Sequence, residues 1–163
     1  LLQDEVTLNR TQASVANIQK AIGEAVKVTD GVEELSADYL NIDAGSLEGQ
    51  DYGWFQLPVQ AEDEAGNCSE TVLITVRLDR QPPVIHEPSR KEFSGSSEES
   101  IREQLLAAVW VEDAYSGVED VSVSWTKEAG ADTYTILYTA RDRYGNVSSE
   151  FFYNYVISFE NGE

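Results

Sequence analysis

The chain has 163 residues, 41% of them hydrophobic, and a formal charge of -19 from 30 acidic and 11 basic side chains. A field this acidic repels phosphate backbones and anionic headgroups, which argues against nucleic acid and direct membrane binding. The single cysteine, Cys68, excludes an intrachain disulfide and any zinc site built from several thiolates, so packing must hold the fold.

The chain opens at Leu1-Leu2, has no methionine, no signal-peptide pattern and no run of about 20 apolar residues, as expected of a segment from a longer protein. Val6-Thr7-Leu8 predicts an opening strand. Asn17 is a candidate N-cap for a short helix, with Ile18, Ile22 and Ala25 on one face. Val26-Lys27-Val28-Thr29-Asp30 follows as a strand with an acidic end, then a turn at Gly31 and a further strand through Tyr39, Leu40 and Ile42. Gly45, Gly49 and Gly53 break the chain before a hairpin. Its first strand runs Phe55-Gln56-Leu57-Pro58-Val59-Gln60-Ala61, its turn holds Asp63, Gly66 and Asn67, and its return alternates through Val72, Ile74, Val76 and Leu78.

Leu78-Asp79-Arg80-Gln81-Pro82-Pro83-Val84-Ile85 then separates two halves. Its prolines fix φ and remove two backbone donors, which predicts an extended, semi-rigid linker around residues 79–83. The pattern then repeats. Ser94-Gly95-Ser96-Ser97-Glu98-Glu99-Ser100 reads as an exposed loop, and Ser100 with Glu103 as a capping box before Ile101, Leu105 and Ala108. Val109-Trp110-Val111-Glu112-Asp113 mirrors the acidic-ended strand, Gly117 the turn, and Val121, Val123 and Trp125 the next strand, with Gly130 before the hairpin. Tyr134 to Ala140, a turn with Asp142, Gly145 and Asn146, and Phe151, Tyr153, Tyr155 and Ile157 complete the copy. The hairpins are offset by 79 residues (Asp63 to Asp142) and the helices by 83 (Ile18 to Ile101). The expected organisation is therefore two domains, 1–80 and 81–163, each with six or seven short strands and one short helix.

The aromatic-led strand, Ala-x-Asp-x-x-Gly-Asn, the alternating return and Asp-x-x-Pro-Pro-Val-Ile resemble the bacterial immunoglobulin-like repeat modules of surface proteins, including the group related to hyalin repeats. The resemblance covers nearly the whole chain as two tandem copies. It implies an all-β fold, two tandem immunoglobulin-like β-sandwiches of antiparallel sheets, found outside the cell as stalks, spacers and adhesive or accessory modules. The short helix and the missing core cysteine pair depart from the antibody-like branch.

Candidate chemistry is sparse. His86 is alone in Val84-Ile85-His86-Glu87-Pro88, with no nucleophile motif and no phosphate loop, and reads as an edge-strand histidine. The acidic pairs Glu33-Glu34, Glu98-Glu99, Glu112-Asp113 and Glu119-Asp120 are so numerous that none singles itself out as a glycosidase pair. No cofactor is expected; the alternative is calcium, since Asp30 and Asp113 sit at equivalent strand ends, Asp63 and Asp142 at equivalent turns, and Asp79 at the domain junction, where oxygen ligands could converge on that ion. Against this, no dense Asp-x-Asp-x-Asp loop occurs, and Asp63 and Asp142 read first as turn residues that accept backbone amides. Trp125 alternates in phase with Val121 and Val123 and is expected in the core. Trp54 and Trp110 are out of phase and expected outside, where isolated aromatics ordinarily cover an edge or pack against a neighbouring module; the functional alternative is that they stack on sugar rings or anchor a protein. The triplets starting at Asn9, Asn67 and Asn146 fit N-glycosylation, and Lys20, Lys27, Lys91 and Lys127 match no repeat position that would suggest isopeptide bonds. The expected role is a non-enzymatic spacer or interaction segment of a bacterial surface or secreted protein, partnered by neighbouring domains of its own chain. The alternatives are a cell-adhesion module binding carbohydrate or host protein, and an accessory part of an extracellular hydrolase.

Overall fold

Two long hairpins organise the structure, a computed structural model that describes residues 3–30, 33–127, 129–130 and 132–159. The chain divides into two compact units, Leu1–Gln81 and Pro82–Glu163, and is mostly β.

The first unit contains β1 (Glu5–Asn9), α1 (Val15–Ala25), β2 (Val28–Asp30), β3 (Glu33–Leu35), β4 (Leu40–Ile42), β5 (Tyr52–Ala61) and β6 (Val72–Asp79), with 3-10 turns over Ala37–Tyr39 and Ala44–Leu47. Its main sheet has the order β1-β6-β5-β4. The second contains β7 (Val84–His86), β8 (Glu92–Gly95), α2 (Glu98–Ala108), β9 (Trp110–Glu112), β10 (Val118–Lys127), β11 (Tyr134–Asp142) and β12 (Phe151–Phe159), with a main sheet ordered β10-β11-β12-β8. The hairpin registers, Leu57 opposite Ile74 and Ile136 opposite Tyr153, preserve the 79-residue offset. Small two-stranded sheets, β2 with β3 and β7 with β9, accompany them. One feature departs from the all-antiparallel expectation: β1 runs parallel to β6, and β8 parallel to β12.

Each sheet buries the apolar side of its alternation against its helix. In the first unit Ile18, Ile22 and Ala25 of α1 meet Val6, Leu8, Leu57, Val59, Ile74, Val76 and Leu78. In the second, Ile101 and Leu105 of α2 meet Phe93, Val123, Ile136, Tyr138, Tyr155 and Ile157, with Ile85 from β7 closing the cluster. Burying one such side chain is worth about 1.5–3 kcal/mol, which is why 11-residue helices too short to persist alone are held here.

Both helix starts differ from the sequence expectation. Ser14, not Asn17, caps α1, its Oγ accepting from Asn17 N at 3.2 Å. Ser97, not Ser100, caps α2, its Oγ accepting from Ser100 N at 3.2 Å. The expected Ser-rich loop is also corrected, because Glu92–Gly95 pairs with β12 and only the short step to Ser97 remains a connection. The cap sits three residues earlier than expected in each copy, which leaves the 83-residue offset intact. Gly31 lies outside the described residues.

Candidate functional site

The repeated turn is built identically twice. Asp63 Oδ1 accepts from Ala65 N at 2.9 Å and Asn67 N at 2.8 Å, while Asn67 Nδ2 donates to Asp63 Oδ2 at 2.7 Å. Asp142 Oδ1 accepts from Tyr144 N and Asn146 N, both at 2.8 Å, and Asn146 Nδ2 donates to Oδ2 at 2.7 Å. Gly66 and Gly145 take φ of 84° and 86°, the left-handed region where a Cβ is penalised. One serine per copy adds to this: the hydroxyls of Ser69 and Ser148 accept from Ala61 N and Ala140 N, both at 2.9 Å, standing in for a missing ladder partner. Their recurrence six residues after each Asp was the available sequence signal.

The two aspartates differ in environment. Asp142 is fully buried. Asp63 lies nearer solvent, and the Asn67 side chain, with further help from the amides of Asn67, Ala65 and Gly66, holds its carboxyl below the ordinary value of 3.8. These bonds also bear on the glycosylation triplets, since the side-chain nitrogens of Asn67 and Asn146 already serve the turn. Asn9 caps its own turn, Oδ1 accepting from Thr11 N at 3.0 Å and Gln12 N at 3.1 Å.

In the second unit Asp113 makes a related turn, its Oδ1 accepting from Tyr115 N at 3.1 Å, Ser116 Oγ at 3.3 Å and Gly117 N at 2.7 Å. Its other oxygen is screened from solvent and receives no donor among the described residues. Asp113 and Asp142 offer carboxylate oxygens within 4.8 Å of each other, so this pair could hold a cation. Asp79 is a buried carboxylate of the first unit that accepts from Gln81 N at 2.9 Å. The side chain of Asp30 lies outside the described residues.

The aromatic candidates divide as follows. Trp54 is 69% exposed, and across the strand pair Arg77 lays its guanidinium 4.1 Å from the ring centre. Arg77 is itself oriented by Glu5 at 2.8 Å. Trp110 is 59% exposed and stacks on His86, centroids 4.3 Å apart at 20°, while His86 Nε2 lies 2.9 Å from Glu112 Oε1. Each ring thus has one face covered by a nitrogen-bearing partner, and each sits on a different sheet. Trp125, expected in the core, is only partly buried: it packs at the core's edge with Arg102 4.9 Å from its ring centre.

Most remaining charged candidates have local partners. Glu34 pairs with Lys27 at 2.7 Å, Glu112 faces His86, and Glu98 and Glu99 lie in the first turn of α2, where the helix dipole favours anions. Lys20 and Lys91 face Glu24 and Glu87 in exposed i, i+4 pairs, and Lys127 lies 5.3 Å from the Tyr134 ring centre. Glu33 falls among residues whose side chains are not described. Glu119 and Asp120 are exposed on β10. Cys68 is an exposed free thiol on the first hairpin turn. No protein-family model matches the chain, and no curated protein is significantly similar to it.

Proposed function

We propose that this chain is a non-catalytic pair of immunoglobulin-like modules from a bacterial surface or secreted protein, acting as a spacer or interaction segment outside the cell. The observation that carries this reading is the repeated Asp-x-x-Gly-Asn-x-Ser turn, whose carboxylates are engaged with backbone amides in both units. A repeated, amide-saturated turn is a device for holding strands, and two such units in series suit a load-bearing or distance-setting role. Pro82 and Pro83 at the unit boundary limit the backbone there. Pulling the chain by its ends tests the modular claim. Two unfolding events, each releasing about 29 nm of contour, are expected; one all-or-none event would overturn it.

A second reading has its own observation. Trp54 and Trp110 each present one ring face outward while Arg77 or His86 covers the other, a geometry suited to stacking on a sugar ring. A glycan panel followed by tryptophan fluorescence should then give a saturable change lost in Trp54→Ala or Trp110→Ala. A flat response across the panel removes this reading and leaves the spacer role standing.

A further inference from the structure

The two units differ where the helix meets the edge of the main sheet. In the second unit this seam is closed: Arg102 of α2 donates from Nη1 to the Val123 carbonyl of edge strand β10 at 2.7 Å and covers Trp125, while Leu106 packs against the core. The helices correspond residue for residue at an offset of 83, so Gln19 stands where Arg102 does and Gly23 where Leu106 does. The strand registers, Ile42 opposite Val59 and Val123 opposite Tyr138, make Ile42 the counterpart of Val123.

In the first unit the seam is open. A groove of about 490 Å³ runs between α1 and edge strand β4, lined by Gln19, Lys20, Gly23, Glu24, Asp38 and Ile42 among others. Val123 is buried, whereas Ile42 is only partly so. Glu62 N donates to Tyr39 O, which makes 39/62 and 41/60 the hydrogen-bonded pairs and turns the carbonyls of Leu40 and Ile42 away from β5, toward the sheet edge. Gly23 sits mid-helix, where glycine costs about 1 kcal/mol relative to alanine. A Cβ there would stand 3.1 Å from that of Ala37, so this glycine lets the 3-10 turn approach and form the groove wall.

We infer that this groove is a docking site for an extended, arginine-bearing segment of a partner protein, which adds to the edge of β4 and places its guanidinium where Arg102 lies in the second unit. Three observations fix the occupant. The second unit shows which side chain fits this seam and which carbonyl it takes. Among the described residues the rim carries Glu24 and Asp38 against one cation, Lys20, already 3.9 Å from Glu24, within a half of the chain that holds 15 acidic and 5 basic side chains. The edge carbonyls offer a strand the acceptors that strand addition uses. This site is separate from the exposed tryptophans and does not depend on their role.

The test uses the full chain and a blocked pentapeptide with a central arginine flanked by serine and valine. Titration followed by backbone amide resonances should shift Leu40, Asn41 and Ile42 saturably. Citrulline or lysine at the centre should bind at least tenfold more weakly. Gln19→Arg should supply the guanidinium internally, abolishing peptide binding while the melting temperature stays equal or rises. The proposal is overturned if these resonances do not move at millimolar peptide, or if Gln19→Arg binds as the parent does. It is also overturned if the citrulline or lysine peptide binds equally well, or if free arginine amide binds as tightly as the peptide, since a strand would then add nothing.

Discussion

The two units share a scaffold and fill it differently. Where the first packs Val59, Ile74 and Val76, the second packs Tyr138, Tyr153 and Tyr155 at the same registers, with Phe93 beside them on β8. The first makes up volume with an extra inward turn, burying Ala44 and Leu47; the second does so with rings, Phe151, Tyr153 and Tyr155 lying along one face of β12. What the units keep in common are groups that bind backbone: the helix-capping serine, and the Asp, Gly, Asn and Ser of the hairpin turn. The local frame is therefore specified at turns and caps, while the core has only to be apolar and full.

Alkali should separate the units most. Burial pushes the hydroxyls of Tyr138, Tyr153 and Tyr155 above the ordinary value of 10.0. The unfolded chain releases these protons near that value while the folded unit retains them, so their contribution is complete below about pH 10 and is lost as pH rises toward the folded values. Hydrogen exchange resolved by peptide should show the second unit opening above pH 10 while the first stays protected; equal loss in both would break the comparison. Acid gives the converse. Asp63, held low, contributes above its ordinary value and loses that contribution as pH falls through its folded value, loosening the first hairpin turn.

The next effect compares the same turn in two settings. Asp142→Ala strands the buried amide of Asn146 and the part-buried amide of Tyr144 and should cost about 3 kcal/mol in the second unit. Asp63→Ala leaves its amides within reach of water and should lower the melting temperature much less. If the two losses matched in a thermal melt, burial would not be what makes Asp142 the more demanding anchor.

How far the sequence could foresee this depended on the range of the interaction. Local chemistry was readable: Asp63 and Gly66 imply their turn, and the phase of Trp54 against Phe55 and Leu57 implies its exposure. The helix caps misled because Asn17 and Ser100 are themselves good caps, and only the start of packing against the sheet selects Ser14 and Ser97. The partial exposure of Trp125, the parallel β1–β6 pairing and the open seam beside β4 each depend on which segment arrives from far along the chain. No pattern within one strand encodes that.

A smaller test probes the aromatic core itself. Tyr138 donates to the Leu105 carbonyl at 3.0 Å, tying β11 to α2, a link the first unit lacks because Val59 stands there. Tyr138→Phe should cost about 1 kcal/mol by chemical denaturation. Tyr155→Phe should be neutral or stabilising, because its buried hydroxyl has no partner among the described residues. Reversal of that order would mean the Leu105 bond adds nothing to the shared scaffold.

The finest distinction lies at Asp113, whose turn bonds all fall on Oδ1 while Oδ2 receives no donor among the described residues, and which offers a carboxylate oxygen within 4.8 Å of one of Asp142. Asn keeps the accepting oxygen, puts an amide in place of the oxygen that has no donor, and takes one carboxylate away from a pair within 4.8 Å. In buffer with a calcium chelator, Asp113→Asn should therefore stabilise the second unit by about 1 kcal/mol, read as a raised melting temperature. With millimolar calcium, the sign separates two roles. If the variant remains more stable, the pair is a strained turn contact, whereas a parent that overtakes it has a cation between its carboxylates, since only two charged oxygens would draw one there.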